Sequence, residues 1–179
     1  PRKKGLTPIK YYCAGVAKSQ GDLTPEAIEE IIKRMAAGLS FKMDIDGVNY
    51  EIIQNPDGTF GIKFTNTTAT KVVIPDTILI HGTTYRVTEI HDSAFKDNTT
   101  IKEVVLGQNI SSIGTSAFEG CSALEKVTLN TGLVTIGDKA FKDCNNLQSI
   151  KMPSTLQTIG KYAFMNCTKL KTVTFNEGL

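Results

Sequence analysis

Cys121, Cys144 and Cys167 recur at intervals of 23 residues, and a fourth cysteine, Cys13, stands apart near the N-terminus. A thiolate serves as a nucleophile or as a zinc ligand, but the chain has no Cys-x-x-Cys pair and no histidine at zinc-ligand spacing. The even interval instead predicts a ladder of small buried thiols, free rather than paired as disulfides. The two histidines, His81 and His91, are not arranged with a Ser or Cys and an acidic residue in a recognisable triad order, so they read as structural or surface groups. Asp44-Ile45-Asp46-Gly47-Val48-Asn49 crowds oxygen ligands together, yet it lacks the loop length and closing Glu of an EF-hand and reads as a turn before a strand. No phosphate loop or dinucleotide fingerprint is present. No catalytic residue, cofactor or metal is therefore expected, and the chain reads as non-enzymatic.

The elements that place the cysteines follow from the same interval. Ala94-Phe95, Ala117-Phe118, Ala140-Phe141 and Ala163-Phe164 repeat every 23 residues, with Asn98 standing where the later units have Cys. In phase with them run Ile101, Leu124, Leu147 and Leu170, then Val104, Val127, Ile150 and Val173, and then Leu106, Leu129, Met152 and Phe175. Ile110, Leu133, Leu156 and Leu179 follow, and Ile90, Ile113, Ile136 and Ile159 complete the cycle, the last three preceding Gly114, Gly137 and Gly160. One such unit has too little apolar surface for a core of its own, so units must stack and share one. The Val-x-Leu alternation marks a short strand in each unit, and these strands form a parallel sheet. The glycines are expected to allow tight or left-handed turns, and the phenylalanines to form an interior spine.

That register also sorts out which side chains face outward. Glu103, Lys126, Ser149 and Thr172 form one row and Val105, Thr128, Lys151 and Thr174 the next; this polar, mixed-charge face is the candidate binding surface. It offers no Tyr, Trp or Arg anchor, which predicts weak, multivalent or polar recognition. The pattern Leu-x-x-Val-x-Leu-x-x-x-Leu-x-x-Ile-Gly-x-x-Ala-Phe-x-x-Cys, read from Leu124 to Cys144, resembles the BspA-type leucine-rich repeat family over residues 72 to 179. The resemblance implies a surface or secreted protein of a host-associated bacterium or protozoan, engaged in adhesion and protein binding.

Upstream, Val48-Asn49-Tyr50-Glu51-Ile52-Ile53 and Thr59-Phe60-Gly61-Ile62-Lys63-Phe64 alternate on either side of the turn Asn55-Pro56-Asp57-Gly58 and predict a hairpin that caps the first coil. Lys71-Val72-Val73-Ile74-Pro75 imitates a repeat strand, and His81 to Val87 supplies a turn and a strand leading into the first unit. Thr24 and Pro25 open an amphipathic helix carrying Ile28, Ile31, Ile32 and Met35 on one face and ending at Gly38. It either docks on the cap or anchors the chain to a partner. The division is thus an arm and helix over 1–43, a hairpin cap over 44–86, and a solenoid of about four repeats over 87–179. The fold class is mainly β with short helical turns and one N-terminal α-helix.

The formal net charge of +2 gives no reason to expect nucleic acid, and the basic excess lies in the first 40 residues, where Arg2, Lys3 and Lys4 read as a solvated tail. No apolar run is long enough to cross a membrane. Four Asn-x-Ser/Thr sequons, at Asn66, Asn98, Asn109 and Asn166, matter only in a glycosylating host. The expected function is a protein- or glycan-binding adhesion module, at the cell surface or secreted if a leader has been removed. The alternative is a structural component of a virion or appendage, virion-associated or cytoplasmic, docked to a scaffold or to a second copy through residues 1–43. The last unit, ending at Leu179, shows no cap, which invites further repeats or a subunit contact.

Overall fold

The structure, a computed structural model, describes residues 24–176 and the backbone of two short strands before them, β1 (Tyr11–Cys13) and β2 (Val16–Lys18). The basic cluster at residues 2–4, the Cys13 side chain and Leu179 lie outside the described residues. β1 and β2 pair antiparallel, an element that the arm's lack of periodicity did not announce.

Helix α1 (Pro25–Ala36) starts where its cap predicts. The Thr24 hydroxyl accepts a hydrogen bond from the Ala27 N–H at 3.1 Å, and Pro25 opens the helix at a position whose N–H would have no intrahelical partner. It ends in a Schellman motif: Gly38 takes φ 69°, its N–H donates to the Met35 carbonyl, and the Leu39 N–H donates to the Arg34 carbonyl.

Three antiparallel strands follow: β3 (Phe41–Ile45), β4 (Val48–Gln54) and β5 (Phe60–Asn66). Asp46 and Gly47 join the first two with φ 54° and 79°, the geometry of a tight hairpin turn. The Asp44 carboxylate accepts the Gly47 N–H, so the acidic run is a turn, as its sequence suggests. β3 was not foreseen, and it runs through the expected boundary between residues 43 and 44. Phe41, Met43 and Ile45 are buried on the same sheet as the hairpin, which attaches this stretch to the cap rather than to the arm.

The chain then reaches β6 (Lys71–Val73), β7 (Thr77–Ile80) and β8 (Thr83–Ile90). β7 and β8 form a second hairpin turning at His81 and Gly82. From here each coil contributes one strand to each of two parallel ladders. β9 (Glu103–Val105), β11 (Lys126–Thr128), β13 (Ser149–Met152) and β15 (Thr172–Phe175) continue from β6 as a five-stranded sheet. The two-residue strands β10 (Ser112–Ile113), β12 (Thr135–Ile136) and β14 (Thr158–Ile159) continue from β8, so the cap meander and this second ladder form one sheet. The result is a β-solenoid of about five turns, counted by the strands of the first ladder.

The interior is a set of columns. Phe95, Phe118, Phe141 and Phe164 stack nearly parallel with centroids 4.9, 5.1 and 5.3 Å apart, and Phe64 of the cap continues the column at 5.3 Å. The glycines after the repeated Ile serve a different end from the one expected. Gly114, Gly137 and Gly160 do not have positive φ; a Cβ on Gly137 would meet the Gly114 carbonyl carbon at 2.7 Å, so glycine is needed for close approach of one coil's backbone to the next. Each coil has two left-handed positions: Ser93, Ser116, Lys139 and Tyr162, just before each Ala-Phe, with φ between 56° and 59°, and Asp97, Gly120, Asp143 and Asn166, two residues after each Phe, with φ between 59° and 73°.

Candidate binding face

The first ladder presents the outward rows. Registered pairs join Glu103 to Lys126, Lys126 to Ser149, and Ser149 to Thr172, so the first row is continuous. In the second row Val105 pairs with Thr128 and Lys151 with Thr174, but no register joins Thr128 to Lys151. β6 lengthens both rows by Lys71 and Val73, residues that the repeat count left out. Their signal was already present in Lys71-Val72-Val73, which imitates the repeat strand. Glu103 and Val105 are half-buried and the other six candidates exposed.

Electrostatics on this face centre on Glu103, whose carboxylate lies 3.4 Å from the Lys71 ammonium and 4.0 Å from that of Lys126. Both lysines are more than half exposed, so solvent screening leaves the two pairs together worth about 1 kcal/mol or less. The surface is polar and charge-paired at its N-terminal end, with serine, threonine and lysine toward the C-terminal end.

The thiols lie on the inside. Cys121, Cys144 and Cys167 are free, and each S–H donates to the carbonyl of the Phe one coil earlier, Phe95, Phe118 and Phe141, at 3.0 to 3.1 Å. Burial strips water from the thiolate form, which pushes Cys121 up to about 12 and Cys167 to about 11, and raises Cys144 as well. Such thiols are poor nucleophiles. Asn98 substitutes for the cysteine with its side-chain oxygen, which accepts the Thr100 and Ile101 N–H groups.

The histidines are apart from one another and from the thiols. His81 forms the exposed tip of the β7–β8 hairpin, and His91 packs its ring over Gly61, with Nδ1 3.9 Å from the Glu89 carboxylate. Among the described residues no three of His, Cys, Asp and Glu converge on a point where a metal would sit. Asn109 accepts a hydrogen bond from Arg86 and donates to Asp76, and Asn166 donates to the Asp143 carboxylate, so these two sequon amides are occupied in the structure. The Asn66 side chain lies outside the described residues.

On the helix, Ile31 enters the common core, Ile28 and Met35 are half-buried, and Ile32 stays 42% exposed. Ile32 and Met35 border a small cavity of about 200 Å³ against Ile80, His81, Thr83 and Tyr85 of the second hairpin. The four apolar residues are therefore not one free stripe. No helix among the described residues is long and apolar enough to cross a membrane.

The profile of the BspA type leucine rich repeat region matches residues 88–179 in six copies. No curated protein matches the chain. Among solved structures the chain is similar to a leucine-rich repeat protein from Bacteroides capillosus, at 25% identity and TM-score 0.64, over 75% of this chain and 98% of that one. A leucine-rich repeat protein from T. pallidum matches at 26% identity and TM-score 0.54, over 69% of this chain and 67% of the other. The pneumococcal vaccine antigen PcpA matches at 21% identity and TM-score 0.63, over 77% of this chain but 38% of the antigen, a likeness of fold alone.

Proposed function

The chain belongs to the family of BspA-type leucine-rich repeat proteins, and from that premise we propose that it is a non-enzymatic binding module of a surface or secreted protein, engaging a protein or glycan through the outward face of the first ladder. One observation carries the reading. The buried columns stay apolar along the stack, whereas the first outward row changes residue at each coil, from Lys71 through Glu103, Lys126 and Ser149 to Thr172. Variation that the core does not dictate is where a binding specificity can be written without loss of fold.

The alternative, an assembly component held by the arm and helix, has less to work with. Ile31 is used inside the molecule, and of the four helix residues proposed as an anchor only Ile32 stays exposed. Adhesion of beads coated with the full chain to immobilised matrix proteins and to a glycan panel tests the leading reading. Ser149→Trp and Thr172→Trp should abolish any adhesion found, whereas Lys139→Glu, on a turn away from the sheet, should leave it intact. Adhesion lost on Ile32→Glu but kept in the face variants would support the assembly reading instead.

A further inference from the structure

Between β11 and β13 the outward sheet is joined at its N-terminal end, where Gln148 donates its N–H to the Glu125 carbonyl at 3.2 Å, and loosens beyond it. β9 and β11 register over three residue pairs and β13 and β15 over four, but β11 and β13 register only at Lys126 and Ser149. The bond that ends each strand is affected too. Ile74 donates its N–H to the Val105 carbonyl at 2.8 Å, and Leu106 donates to Thr128 at 3.0 Å. The equivalent bond from Leu129 to Lys151 is not made among the described residues. Leu129 is half-buried as a result, although its counterparts Ile74, Leu106 and Met152 are buried. Asn130 shows what its coil holds instead: its amide donates to the carbonyls of Gln108 and Ile110, tying this coil to the preceding one.

The parting opens a cleft of about 340 Å³ in the middle of the outward face, bordered by Lys126, Thr128, Leu129, Ser149, Lys151 and Pro153. Two cations and no acid line it among the described residues. Lys126 reaches Glu103 only at 4.0 Å, and Lys151 makes no ion pair among the described residues. Among the described residues no aromatic ring borders the cleft, so a sugar ring finds no flat face there to stack on. The cleft admits side chains rather than an inserted strand, which would need the ladder to open by a further strand spacing of about 4.8 Å.

We propose that this cleft seats an acidic side chain, Glu or Asp, presented by a protein partner, with its methylene carbons on Leu129 and its carboxylate shared by Lys126 and Lys151. The inference rests on the outward face being the binding surface and narrows it to one subsite and one ligand chemistry. Charge complementarity selects the carboxylate, and the absence of a stacking platform selects peptide over glycan.

The test is a titration of the full chain, followed by backbone amide NMR, with three probes: hexaglutamate peptide, hexaglutamine peptide and hexagalacturonate. Saturable shifts at Thr128, Leu129, Ser149 and Lys151 are expected with hexaglutamate alone. They should weaken roughly tenfold in Lys126→Gln/Lys151→Gln, a surface double variant that keeps its melting temperature, and persist in Lys161→Gln/Lys169→Gln. Shifts spread over many lysines, shifts indifferent to the double variant, or no saturation with any probe would overturn the proposal. The same amides responding to hexagalacturonate alone would overturn it in favour of an acidic glycan. Shifts gathered instead around Lys71 or Thr172 would remove the cleft while leaving the face as the binding surface. If Ser149→Trp and Thr172→Trp leave adhesion intact, the face reading itself falls, whatever the cleft binds.

Discussion

The columns inside the solenoid and the rows outside it obey opposite rules. Inside, the aromatic column keeps Phe at 95, 118, 141 and 164, and Cys recurs at 121, 144 and 167, because one coil is the wall against which the next packs. Outside, a row runs Lys71, Glu103, Lys126, Ser149, Thr172 with no residue kept from one coil to the next, because these side chains reach water and only the backbone beneath them must match. The contrast teaches that stability in such a molecule is collective and written in the interior, while the outer face of the sheet is free to vary from coil to coil.

The largest effect should come from breaking a column. Phe141→Ala removes a fully buried ring stacked on both sides, and chemical denaturation should register a loss of about 3–5 kcal/mol. Phe175→Ala, at a position 56% exposed, should cost well under half as much. A step down, Gly137→Ala forces a Cβ against the backbone of Gly114 and should cost about 1–3 kcal/mol. Gly132→Ala, whose Cβ would meet nothing nearer than 3.5 Å, should be close to neutral in the same denaturation series.

The thiol ladder gives a pH dependence with a defined sign. Burial raises the folded-state pKa of Cys121 from its ordinary 9.0 to about 12, so above pH 9 the unfolded chain sheds a proton that the folded chain keeps. Stability from this group is complete below pH 9 and lost as pH rises toward 12, by roughly 1.4 kcal/mol per pH unit for each such thiol. Melting curves from pH 8 to 11 should fall less steeply in Cys121→Ala than in the parent chain. Smallest of all, Glu103→Gln on the outward face should change stability by no more than about 1 kcal/mol, since its two lysine partners are exposed, and melting temperature will show it.

The interior was the legible part of the sequence. A 23-residue period carried by Phe, Ile and Cys has one physical explanation, and it places the ring column and the alternate, outward positions of the strands. The helix was legible too, because Thr24, Pro25 and Gly38 are chemical signals for its ends. What escaped notice lacked either a repeat or a length. β3 and β7 occur once each, and β10, β12 and β14 are two residues long, too short for alternation to show. Glycine alone does not say whether it is there for a turn or for a close approach, so the function of Gly137 emerged only from its distance to Gly114. The parting of β11 from β13 was hidden for the opposite reason: Val127-Thr128-Leu129 and Ile150-Lys151-Met152 have the same pattern as strands that stay paired.

A double-mutant cycle on the aromatic column tests most directly whether equivalent residues of successive coils share one continuous interior. Phe118→Leu and Phe141→Leu, whose rings are stacked at 5.1 Å, should couple by about 0.5–1.5 kcal/mol, whereas Phe118→Leu and Phe164→Leu, two coils apart, should add. Strict additivity in the first pair would contradict the stacked solenoid and the binding face built upon it.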